Sequence, residues 1–128
     1  MQEPAILILG DAQSRRLADR VFDAGFAPIV RSDLHHALRT LRRERCVGVV
    51  VDLEHSATDV LEFVLNVKDL APAVPVWLAG KGDKPGNRMP MNPDNVFSEH
   101  REAIPGKLSD YFGKPHMDGL QTARKETP

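Results

Sequence analysis

CVGVVVDLEHS, residues 46–56, is a run of mainly β-branched residues that stops on a carboxylate, Asp52. A short, continuous apolar run without polar alternation fits a strand buried on both faces, the situation of a central strand in a parallel sheet. Asp52 then either carries chemistry at the strand's carboxyl end or marks only where the strand leaves the core.

The flanking sequence repeats the theme. Pro4 to Gly10 (PAILILG) is a second apolar run closed by glycine, and Ala27 to Arg31 is a third, shorter one. Val74 to Gly80 (VPVWLAG) is a fourth, with Pro75 near its start, where a missing N–H is tolerated. Between these runs the apolar residues recur at helical spacing. Leu17, Val21, Phe22 and Ala24 precede a Gly25 stop; Leu34, Ala37, Leu38 and Leu41 follow a Ser32-Asp33 cap; Val60, Leu61, Val64 and Val67 follow Thr58 or Asp59 and end before Pro72. Strands alternating with helices through short loops call for a doubly wound α/β domain with a five-stranded parallel sheet and right-handed crossovers.

The carboxyl-terminal third admits two registers. KGDKPGNRMPMN, residues 81–92, has no apolar period and reads as an irregular loop. In the preferred register Asn92-Pro93 opens a helix over 93–104, Pro105-Gly106 ends it, and Leu108 to Phe112 forms the fifth strand, leaving the last helix weak or missing. In the competing register residues 95–98 form that strand and 99–112 the last helix, at a cost of about 3 kcal/mol for an interior Pro105. The domain is expected over residues 4–115, with 116–128 a polar tail.

Composition narrows the function classes. Of 128 residues, 41% are hydrophobic and 27% charged, an ordinary balance for one globular domain, and 17 basic against 18 acidic residues leave a net charge of −1, with no bulk field for nucleic acid or a membrane surface. The arginines at 39, 42, 43 and 45 read as a solvated helix face. The single cysteine, Cys46, excludes an internal disulfide and reads as a buried thiol. No run approaches the roughly 20 apolar residues of a membrane span, and a cytoplasmic location is expected. The five histidines lack metal-type spacing, although His55 overlooks Asp52; Gly80, Gly82 and Gly86 form no phosphate-binding fingerprint; Trp77 reads as core; and Met89, Pro90 and Met91 form a small apolar loop patch.

Ligands of open parallel sheets bind at the strands' carboxyl ends. Asp11 follows the first strand, Asp52 ends the third and, in the preferred register, Lys114 follows the fifth. Two carboxylates could hold Mg²⁺ through oxygen ligands and retained waters while a lysine stabilises transferred oxygens. The plainer reading is equally physical, because Asp terminates strands and caps helices.

The alternation, Asp11, VVVD, VPVWLAG and SDYFGKPH together resemble the receiver domain of two-component response regulators (the CheY-like superfamily), over about residues 4–115. The resemblance implies a flavodoxin-like fold and a role in phosphorelay signalling, with no enzymatic activity beyond phosphorylation and dephosphorylation of Asp52. Asp52 would be the phosphoacceptor, Asp11 and Asp52 the Mg²⁺ ligands, Lys114 the phosphoryl contact and Tyr111 the aromatic switch. The partner would be a sensor histidine kinase or another signalling protein, with a homodimer as a further option. The chain departs from that pattern. Gly10 replaces the first acidic residue, the segment after Asp52 lacks Met-Pro and a closing glycine, and no Ser or Thr lies between Thr58 and Ser98 to sense phosphate. These departures resemble an atypical or pseudo-receiver. Under the competing register, NVFSEHREAIPGKL is similar to the receiver-like wing domain of bacterial ornithine, lysine and arginine decarboxylases, which implies an interaction or oligomerisation module that works without phosphate.

Overall fold

The computed structural model describes residues 3–55, 59–80 and 95–113. Five strands, β1 (Ala5–Leu9), β2 (Ala27–Arg31), β3 (Cys46–Asp52), β4 (Val76–Gly80) and β5 (Val96–His100), form one sheet in the order β2-β1-β3-β4-β5. All four pairings are parallel. The helices are α1 (Arg15–Asp23), α2 (Leu34–Arg43), α3 (Val60–Leu70) and α4 (Ile104–Phe112), with 3-10 turns at Ala12–Ser14 and Arg101–Ala103 leading into α1 and α4. This is the doubly wound architecture expected from the alternation.

The apolar runs are continuous because both faces of the sheet are covered. Leu7, Leu9, Val49, Val51 and Leu78 point to one side, where Ala37 and Leu41 of α2 and Phe63, Val64 and Val67 of α3 close the core. Ile6, Ile8, Val50, Trp77 and Ala79 point to the other, against Leu17 and Val21 of α1 and Ile104 and Leu108 of α4. Strand side chains alternate in direction, so one parallel register, Leu7 beside Val49 and Ile8 beside Val50, serves both cores at once. Asp33 and Asp59 cap α2 and α3 by accepting the His36 and Glu62 N–H groups. The capping bond holds the Asp33 carboxyl below its ordinary range. Cys46 is buried at the start of β3, and desolvation pushes its thiol up to about 11.

The carboxyl-terminal register is the competing one. Residues 108–112, expected as the fifth strand, are the second half of α4, and the expected helix over 93–104 is instead β5 followed by a 3-10 turn in its described part. The objection to a helix containing Pro105 fails for a physical reason. Pro105 stands in the first turn of α4, where its missing N–H has no carbonyl to bond and its fixed φ suits the helix. The last helix, expected to be weak or missing, is therefore present and buries Ile104 and Leu108.

Candidate functional site

The sheet order reverses direction between β1 and β3, the place where ligands of open parallel sheets bind, and Asp11 and Asp52 stand at the carboxyl ends of those strands. Asp52, the last residue of β3, is there and is fully buried. Its Oδ2 accepts two hydrogen bonds, from the Ser14 hydroxyl at 2.7 Å and from Arg101 Nη2 at 3.0 Å. Its Oδ1 is buried with no hydrogen-bond partner among the described residues. The Asp52 side chain is 0% exposed and that of Arg101 22%, so the pair is an internal one with an edge toward solvent. A carboxylate removed from water costs several kcal/mol unless a cation and hydrogen bonds compensate, and Arg101 and Ser14 supply both.

Ser14 reaches Asp52 because Gly10 has no side chain. A Cβ at Gly10 would collide with the Ser14 hydroxyl and come within 2.9 Å of Ser14 Cβ and 3.3 Å of Asp52 Cβ. The Ser14 hydroxyl therefore occupies the space beside Asp52 in which the receiver pattern expects a first acidic residue. Ser14 is held there by its own turn: its oxygen accepts the Asp11 N–H at 3.3 Å, and its N–H bonds the Asp11 carbonyl at 2.9 Å. The absence of a side chain at Gly10 and the Ser14 hydroxyl on Asp52 are one packing arrangement.

Asp11 lies after β1 as expected, yet it points into a local task. It is half exposed, Oδ1 accepts the Gln13 N–H at 2.7 Å, and His55 Nδ1 lies 3.9 Å from the same oxygen. Mg²⁺ needs several oxygen ligands with room for its waters. Gly10 offers no carboxylate, Oδ2 of Asp52 is taken by a cation and a hydroxyl, and no group of three His, Cys, Asp or Glu side chains among the described residues is placed to hold a metal. Among the described residues no Mg²⁺ site is assembled.

Of two further expected site residues, one is displaced and the other lies outside the described residues. Tyr111 belongs to α4 rather than to the fifth strand, is 47% exposed, and stacks in a cluster with Trp77 at 5.3 Å, Phe97 at 5.9 Å and Phe112 at 4.9 Å between ring centroids. It is not in position to act as a strand-five switch. Lys114 lies outside the described residues; in the observed register it follows α4, and the cation that follows β5 is Arg101. Sequence reasoning misses Arg101 by placing it inside a helix, although it is the first cation after the run VFSEH. It misses Ser14 because a serine in a loop carries no signal until the void at Gly10 is seen.

No family model matches the sequence, and no curated protein matches it. Solved structures do. The receiver domain of the sensor histidine kinase PA1611 from Pseudomonas aeruginosa PAO1, which holds a magnesium ion in its active-site cleft, aligns at 12% identity over 88% of this chain and 99% of its own, with a TM-score of 0.69. The chemotaxis response regulator CheY4 of Vibrio cholerae aligns at 14% identity over 86% and 98%, with a TM-score of 0.67. FixJ-N aligns at 25% identity over 77% and 82%, with a TM-score of 0.60. Many of the neighbours are receiver domains, and the fold of this chain is the flavodoxin-like receiver fold.

Proposed function

We propose that the chain is a receiver-like signal-transduction domain that binds its partner without being phosphorylated. The observation that supports this reading is the state of Asp52: both carboxylate oxygens are buried, and the one with partners is engaged by Arg101 and Ser14. A nucleophilic carboxylate must present a lone pair to an incoming phosphoryl group and needs its charge neutralised in flight. Here a guanidinium stands on the carboxylate itself, and the residues around it do not assemble a Mg²⁺ site. The receiver fold supplies the surfaces, and the partner is a signalling protein such as a sensor histidine kinase or a second copy of the chain. The observed register of β5 and α4 is the one under which the sequence resembles a wing domain retained for assembly, and it favours the same reading.

The test is intact-protein mass after incubation with acetyl phosphate and Mg²⁺. The expected wild-type mass is unmodified. A phosphate adduct that disappears in Asp52→Asn would overturn the proposal and restore Asp52 as a phosphoacceptor.

A further inference from the structure

Beside the buried pair, a cavity of about 260 Å³ is lined by Arg16, Leu17, Arg20, Arg101 and Glu102. Arg16 and Arg20 are one turn apart on α1 and so share a face. Neither makes an ion pair or a hydrogen bond through its side chain among the described residues. Arg101 enters from the other side: Nη2 is on Asp52, and Nε is buried without a partner among the described residues. Arg101 is paired with Asp52, so three guanidinium groups against the carboxylates of Asp52 and Glu102 leave one positive charge in excess around a small cleft. Like charges on one helix face repel unless an anion lies among them. Guanidinium forks are matched in geometry to phosphate oxygens, and the volume suits a small ligand rather than a cofactor-sized one.

We infer that this cleft between α1 and the segment after β5 binds a small dianion, inorganic phosphate or a phosphomonoester, and that the ligand shares Arg101 with Asp52. The inference rests on the proposed reading in one respect, the Arg101–Asp52 pair. Because a single guanidinium serves both carboxylate and ligand, the two compete, and by linkage whatever weakens the pair strengthens the ligand. The dianion would in turn draw Arg101 off Asp52, giving a phosphorylation-independent domain a chemical input through a cleft beside Asp52.

Titration of the full chain with inorganic phosphate, and separately with glycerol 3-phosphate, tests this without Mg²⁺ or a phosphodonor, at constant ionic strength, followed by amide NMR shifts. Saturable shifts are expected around residues 16–20 and 101–102. Arg16→Gln combined with Arg20→Gln is expected to weaken binding at least about ten-fold, through the loss of two charge-assisted contacts, whereas Asp52→Asn is expected to tighten it. The tighter of the two ligands identifies the source. Shifts that never saturate, or an affinity unchanged in the arginine variant, would overturn the site. Binding that is lost in the arginine variant but unmoved by Asp52→Asn would overturn the sharing of Arg101. A phosphate adduct on Asp52 in the acetyl phosphate experiment tells against the proposed function alone, since this titration contains no donor.

Discussion

Gly10 and Ser14 show how one small residue reshapes a site. The hydroxyl of Ser14 fills the volume that a side chain at position 10 would need, so each residue permits the other. Gly10→Ala is expected to destabilise the fold by about 1–3 kcal/mol, the range for overpacking a tight interior. In a Ser14→Gly background the same change should cost less than about 1 kcal/mol, since residues in contact are not additive. Urea unfolding of the four proteins measures this, and an equal penalty in both backgrounds would show that Ser14 does not fill the space. Asp52 is legible from sequence because a β-branched run ending in a carboxylate has few readings. Its partners are not, because Ser14 is 38 residues away and Arg101 is 49, and neither distance leaves a periodic trace.

At the level of elements, the apolar runs and helical stripes of residues 5–80 suffice to place β1 to β4 and α1 to α3, and capping by Asp33 and Asp59 follows from their side chains. Two phenylalanines are exceptions: Phe63 is fully buried under the sheet, although the stripe read from sequence runs through Val60, Leu61, Val64 and Val67, and Phe22, read as part of the α1 stripe, is 56% exposed. The end of the chain misleads because Pro105-Gly106 reads as a stop. Proline in the first helical turn is a start signal, and the two meanings differ by only a few residues of register. Gly106 is an ordinary helical residue, and a Cβ added to it would meet nothing within 4 Å. Gly106→Ala should therefore stabilise the protein by about 0.5–1 kcal/mol by restricting the unfolded chain. A thermal or urea midpoint that falls on this substitution would contradict the helical register of α4.

Over the whole molecule, the two cores lie on either face of one sheet, and the contact between Asp52 and Arg101 ties the end of β3 to the segment after β5, across β4. Gly48 adds a second such tie on the α4 side, since its missing side chain admits Trp77, Ile6 and Phe112 to within 3.1–3.3 Å of where a Cβ would stand. Removing one member of a buried ion pair leaves the other uncompensated, at a cost of roughly 3–5 kcal/mol where burial is complete. The edge of Arg101 is exposed, so the loss should be smaller when Asp52 is the residue replaced. The direct measurement is a double-mutant cycle of Asp52→Asn and Arg101→Met in urea unfolding. The account predicts a coupling of about 2 kcal/mol, the double variant being less destabilised than the two single losses added together; additivity within about 0.5 kcal/mol would contradict it, since Asp52 would then not be closed by Arg101.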